Sequence, residues 1–421
     1  MVTLQGDLIQ LGYLSGQVDG IFGPMTRNAV LGFQKANGLA TDGIVGPLTW
    51  AALAQAVATP ATPGNVSTAS MTVSQSPSGG ATPSPTTLAS RGAVVVPTGH
   101  PLQIQGYYVQ YVPGSPNNDS WISLQTDYTH LTSIAPLWVS VRPDGSLYTH
   151  GSNWSAVTAF AKSHGLKVLV MVTNDYGSDA VLTDPAAQAN AVANIKQLVT
   201  ANNFSGVNVD FESLSPWDRN GLSAFVKNLA DTLHPSGYLV TVDVAAKTTD
   251  APSLNPTAVA YDYAALSRYA DQVDIMAYDY HGSWSGPGAV APLPWVKSCL
   301  DYALSIIPAK KIMLGVAAYG YDWSYAGVPS VTSTQAIALA GKYKATIHWN
   351  AVASEPWFTY TDPYGYRHTV WFEDGASVAF KVALAQSTGI AGLAIWHLGG
   401  EDAAFWTDLK WTNQEQLSTK K

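Results

Sequence analysis

Hydrophobic and polar residues alternate one for one along Phe204–Glu212, which reads Phe-Ser-Gly-Val-Asn-Val-Asp-Phe-Glu. On an extended chain Val207, Val209 and Phe211 share one face. Asn208, Asp210 and Glu212 share the other, neighbours lying about 6.6 Å apart. This predicts a strand with an apolar outer face and an acidic inner one. Seven more strand candidates bring the total to eight: Gln103–Tyr111, Leu131–Val141, Lys167–Thr173, Tyr238–Ala245, Gln272–Tyr280, Lys311–Tyr319 and Gly392–Trp396. Helical periodicity fills most of the gaps, for example Asp184–Ala201 and Asp218–Leu233. Eight alternating units predict an α/β fold, a (β/α)8 TIM barrel, whose chemistry gathers at the carboxyl ends of the strands. One gap is too long for a loop. Residues 325–390 contain a helical piece, Thr334–Lys342, and an aromatic-polar alternation over Thr346–Phe372 around Pro363-Tyr-Gly, which predicts a hairpin. A small α+β insertion is therefore expected between strands seven and eight.

The N-terminal pattern is different. Leu4, Leu8 and Leu11 form one helical stripe, and Ala29, Val30 and Phe33 another on a helix expected over Thr26–Ala36. Asp19-Gly-Ile-Phe-Gly-Pro-Met-Thr26 recurs as Asp42-Gly-Ile-Val-Gly-Pro-Leu-Thr49, each a Gly-rich turn leading into a helix start. No charged residue falls between Asp42 and Arg91, and Ala, Thr, Pro, Ser and Gly dominate there. Such a stretch buries too little apolar surface to fold and acts as a tether. The expected organisation is a helical domain over 1–55, a linker over 56–98 and a catalytic barrel over 99–421.

Composition narrows the chemistry. Only 12% of residues are charged, against 14 Trp and 21 Tyr, which suits stacking on sugar faces. The net charge of −8 argues against nucleic acid as a partner. No apolar run is long enough to span a membrane, so no membrane insertion is expected. No signal peptide is read at Met1, and a monomer is expected. The single Cys299 allows no internal disulfide. His130, His150, His164 and His281 lie in unrelated segments, so no metal or other cofactor is expected.

The acidic row is the candidate for chemistry, with a structural acid network as the alternative. Buried carboxylates are costly unless a proton is shared or a partner found. An ordinary glycosidase places two carboxyl groups on opposite sides of the scissile bond. Asp210 and Glu212 share one face of one strand and are better placed on the same side.

The stretch resembles the motif of glycoside hydrolase family 18, Asp-Gly-x-Asp-x-Asp-x-Glu. Gly206, Asp210 and Glu212 are kept, Ser205 stands in for the first Asp and Asn208 for the outer Asp. The Asn form resembles the branch of spore-germination and cortex-lytic N-acetylglucosaminidases. Asp274-Ile-Met-Ala-Tyr-Asp279, Gly315-Val-Ala-Ala-Tyr-Gly-Tyr-Asp-Trp323 and Gly392-Leu-Ala-Ile-Trp396 resemble later family motifs. The resemblance implies substrate-assisted catalysis, in which the 2-acetamido oxygen of the sugar is the nucleophile. Glu212 would be the acid/base, Asp210 the group that holds the acetamido N–H, and Tyr278 the donor to the acetamido carbonyl. Asp279, Met276, Asn208, Tyr108 and Asn174 would bind substrate or support the site, with Trp396 beneath the sugar. The insertion would form one wall of the cleft. Residues 1–55 resemble a peptidoglycan-binding domain, with Leu11–Tyr13, Asp19–Thr26 and Phe33–Gln34 as its elements. The implied substrate is peptidoglycan, acted on in the cell wall or spore by a secreted protein. Chitin, or glycan binding without catalysis, are the alternatives.

Overall fold

The computed structural model describes residues 2–14 and 24–39, positions 45, 49, 52–53 and 56–57, and 101–406 apart from 111–119, 152, 175–178 and 252–255. The chain divides into two compact units, Met1–Val94 and Val95–Lys421. The expected linker lies almost entirely outside the described residues.

In the first unit, helices Val2–Gln10 and Pro24–Ala36 pack through Leu4, Leu8, Ala29, Val30 and Phe33, joined by Leu53. Pro24 opens its helix at a position where the missing N–H costs nothing. The duplicated threonines have duplicated partners: Gln5 Nε2 donates to Thr26 Oγ1 (3.1 Å) and Gln34 Nε2 to Thr49 Oγ1 (3.2 Å), all four buried.

In the second unit the chain runs through β1 (Gln103–Tyr108), β2 (Ser133–Val141), the short antiparallel β3 (Leu147–Thr149), β4 (Lys167–Asn174), β5 (Gly206–Asp210), β6 (Leu239–Ala245), β7 (Gln272–Met276) and β8 (Ile312–Ala317). The insertion supplies β9 (Tyr319–Trp323), β10 (Ser330–Thr332), β11 (His348–Asn350), β12 (Glu355–Thr361) and β13 (Arg367–Phe372), and β14 (Gly392–Trp396) follows. Strands β1, β2, β4, β5, β6, β7, β8 and β14 are parallel neighbours in that order, and β14 pairs back onto β1, closing an eight-stranded barrel. All eight strand candidates lie in it. The alternation in β5 sorts as expected. Val207, Val209 and Phe211 are buried against the helical layer, where Phe211 stacks on Phe225 at 5.0 Å. Asn208 and Asp210 point into the barrel, beside an interior packing of Tyr107, Ala135, Met171, Met313 and Ala394. Helices Pro185–Ala201 and Arg219–Leu233 match the periodicity, the first capped by Asp184, which accepts from Ala186 N.

The insertion is a five-stranded antiparallel sheet, order β10-β9-β13-β12-β11, covered by the helix Ser333–Tyr343. The expected hairpin is β12–β13, closed by a turn in which Asp362 accepts from Tyr364 N and Tyr366 N. Its bounds differ from the expected 325–390. After Ala317 the chain turns at once into β9, so the insertion begins at Tyr319. Helix Gly375–Thr388 belongs to the barrel, because Val378, Val382 and Ala385 pack into the main core. At the sheet's base Glu355 accepts from Val290 N and Ala291 N, both at 2.7 Å, and buried Lys381 pairs with buried Glu373. One network thus joins β12, β13, the helix and the loop after β7.

Candidate active site

A cavity of about 470 Å³ opens at the carboxyl ends of the strands. Asp210 ends β5 and Glu212 follows two residues later, so both line it from one side. Their carboxyl groups hydrogen-bond each other, which requires a shared proton. Burial pushes Asp210 well above the usual carboxylate range, and the charge of Glu212 adds to this. Glu212 is open to solvent through the cleft, yet enough protein surrounds it to raise its carboxyl. The hydrogen bond from Asp210 works against that rise and the charge of Asp279 adds to it. Asp210 Oδ1 has no hydrogen-bond partner among the described residues, so it keeps acceptor capacity.

The backbone beneath this pair is pinned at three points. Asn174, at the end of β4, donates from Nδ2 to Glu212 O and accepts from Glu212 N, both at 2.8 Å. The Tyr261 hydroxyl donates to Phe211 O at 2.8 Å. Tyr278 and Met276 reach the cavity from the end of β7. Gly315 on β8 makes room for the Tyr278 ring, since a Cβ there would come within 2.9 Å of it. Asp279 takes a positive φ of 59° and accepts from the hydroxyls of Tyr319 (2.6 Å) and Tyr321 (2.9 Å), both on β9. The insertion therefore reaches into the cleft and holds one of its acids. Trp396, at the end of β14, lines the cavity with its ring 5.3 Å from that of Tyr107.

The model of the glycosyl hydrolases family 18 matches residues 103–402, which contain every residue of this site. The chain belongs to family 18. A second family model, that of a peptidoglycan binding domain, matches residues 1–53. Among curated relatives, the "uncharacterized glycosylase YvbX" of Bacillus subtilis is 30% identical over 317 residues, 72% of this chain and 91% of the relative. Among solved structures, the spore cortex-lytic enzyme SleL of Bacillus cereus is 29% identical with a TM-score of 0.68, over 75% of each chain. The chitinase of Chromobacterium violaceum is 32% identical with a TM-score of 0.68, over 74% of this chain and 98% of that one.

Within this family 18 barrel, six residues singled out from sequence meet at one cavity: Asp210, Glu212, Met276, Tyr278, Asp279 and Trp396. Three others stand apart from it. Asn174 acts on the Glu212 main chain. Asn208 is fully buried below Asp210, and its Nδ2 donates to Thr241 Oγ1 (3.0 Å) and Asp243 Oδ1 (2.8 Å). Tyr108 points outward, packs on Trp138 at 6.1 Å and accepts from Asn153 Nδ2; its neighbour Tyr107 lines the cavity instead. Asp243 and Tyr319 also line the cavity, and Asp274 lies buried beneath it. The signal for Asp243 and Asp274 was the same alternation as in β5: Val-Thr-Val-Asp-Val in β6 and Val-Asp-Ile in β7.

Proposed function

We propose that this protein hydrolyses the β-1,4 bond that follows N-acetylglucosamine in peptidoglycan, with the substrate's acetamido group as nucleophile. The observation that carries this is the proton-sharing Asp210–Glu212 pair on one wall of the cavity. The other acids at the cavity are already held, Asp243 by Asn208 and Asp279 by two tyrosines, and do not offer a free nucleophile. In the first step the acetamido carbonyl oxygen bonds to C1 as the C1–O bond breaks, and Glu212 gives its proton to the departing oxygen. Asp210 accepts from the acetamido N–H and stabilises the positive charge of the oxazolinium, while Tyr278 donates to the acetamido carbonyl. In the second step water attacks C1 as the C1–O bond to the acetamido oxygen breaks, the acetamido group is restored, Glu212 takes the water's proton, and the anomeric configuration is retained. Trp396 supplies an aromatic face to the sugar.

Peptidoglycan is favoured over chitin by the N-terminal module and by the likeness to a cortex-lytic enzyme. Both support a site of action in the cell wall or spore. The likeness to a chitinase keeps chitin as the second reading. Digestion of spore and vegetative peptidoglycan beside chitin oligomers, with mass spectrometry of the products, separates the two. New N-acetylglucosamine reducing ends from peptidoglycan, abolished by Glu212→Gln, are expected. Products from chitin alone would leave a chitinase, and none from either, with glycan binding intact, a lectin.

A further inference from the structure

Beneath the catalytic pair lies a second set of acids for which the reaction above has no use. Asp243 on β6 and Asp274 on β7 sit opposite each other in the strand register, and both are about 1% exposed. Among the described residues, the charges that act most strongly on Asp210, Glu212 and Asp243 are other carboxylates. The neighbouring polar groups are rich in acceptors and poor in donors. Gln105 Nε2 and the Tyr107 hydroxyl, both on β1, donate to Asp274 Oδ2 at 2.6 and 3.4 Å, Asn208 Nδ2 donates to Asp243 Oδ1, and the one Tyr107 hydroxyl also lies within reach of Asp243. Four buried oxygens have no N–H or O–H donor among the described residues: Gln105 Oε1, Asn208 Oδ1, Asp210 Oδ1 and Asp274 Oδ1. Buried carboxyl groups set among such a surplus of acceptors can satisfy one another only by keeping protons. Asp243 and Asp274 lie within hydrogen-bond reach of each other, which also demands a proton between them.

We propose that Asp243 and Asp274 are positioning residues for the family 18 reaction: a carboxylic acid and a carboxylate sharing one buried proton, whose single negative charge retains the proton of the Asp210–Glu212 pair. Asp243 carries the proton and donates it to Asp274. The charge on Asp274 then opposes ionisation of Asp210, a task that Asn208, which cannot ionise, leaves open on β5. The directions agree. Burial pushes Asp274 up to about 7, with the hydrogen bond from Asp243 holding it down, whereas burial takes Asp243 far above the usual range. The charge of Asp274 in turn raises Asp210. The other titratable groups facing this set are Tyr107 from β1, Glu212 after β5, Tyr261 after β6, and Tyr278 and Asp279 after β7.

The proposal rests on the hydrolytic reading, and two measurements keep their failures apart. The first is the pH dependence of kcat/KM for Asp274→Asn, which keeps the acceptor for Gln105 and removes the charge. The alkaline limb, where the catalytic pair loses its last proton, is expected to move to lower pH by about one unit. The acid limb stays, because Asp274 is already neutral there. A profile superimposable on that of the wild type overturns the proposal. The second needs no turnover. In an Asp210→Asn/Glu212→Gln background the catalytic proton is gone, and the infrared difference at pH 8 between this protein and the same protein carrying Asp243→Asn is expected to show the loss of one carboxylic-acid C=O band. A difference spectrum without that loss, as when buried water supplies the donors, overturns it even if the wild type hydrolyses glycan as proposed.

Discussion

Asp210 and Glu212 differ in what surrounds them, and that difference assigns their work. Glu212 meets solvent and can exchange protons, whereas Asp210 is buried and holds its proton through Glu212. Asp210→Asn keeps size and hydrogen bonding but removes the charge that faces the developing oxazolinium. A loss of about 10²–10³ in kcat is expected, with a smaller change in KM, because that charge matters mainly in the transition state. Steady-state kinetics across pH, with circular dichroism for folding, checks this; near wild-type kcat would mean that Asp210 does not hold the acetamido group. Asn174→Ala tests the clamp on Glu212. It leaves a main-chain N–H and C=O without their partner, so stability should fall by about 1–3 kcal/mol. Activity should fall through kcat rather than KM, as Glu212 loses its fixed position. A variant with raised KM and unchanged kcat would instead make Asn174 a substrate contact. Period-two alternation made the inward residues of β5 legible, and applied to β1 it separates Tyr107 from Tyr108. Gln105 and Tyr107 share a face, and Tyr108 falls on the other with Ile104.

Elements carry the information that residues cannot. The eight strands and the insertion's hairpin were legible because each has its own periodicity. The start of the insertion was not, because Ala318 alone separates β8 from β9 and the hydrophobic run continues through the turn. For the same reason nothing local announced that Tyr319 and Tyr321 would close on Asp279, 40 and 42 residues earlier. The base of the insertion depends on Glu355, Glu373 and Lys381. Burial and the charge of Glu373 push the Glu355 carboxyl up, and it sits beside the Glu373–Lys381 pair. Lys381→Met removes one partner of a buried ion pair and leaves the other uncompensated, which typically costs about 3–5 kcal/mol. Denaturant unfolding is the measurement, and a change below about 1 kcal/mol would show that the pair does little to hold the base of the insertion.

At the scale of the whole molecule, the barrel stores several carboxyl groups whose folded pKa lies above the unfolded value of about 4. Asp210, Asp243 and Glu355 are raised, and Asp274 reaches about 7. A folded state that binds protons the unfolded chain has released gains stability as pH falls. The contribution is complete below the unfolded pKa and is lost as pH rises through the folded one. Thermal unfolding is therefore expected to show Tm declining between about pH 5 and pH 8, a dependence that Asp274→Asn flattens. A Tm that rises over that window would mean these groups are ionised in the fold.

Tyr319 and Tyr321 hold Asp279 from the first strand of the insertion, while the far ends of that sheet, around Tyr325 and Tyr364, are freely exposed. The domain is thus anchored at one end and open to change at the other. For protein engineering this marks where to cut and paste. A fluorophore, an affinity tag or a graft belongs at the Tyr364-Gly365 turn, whereas trimming the insertion from its first residue would dismantle the sugar cleft along with it.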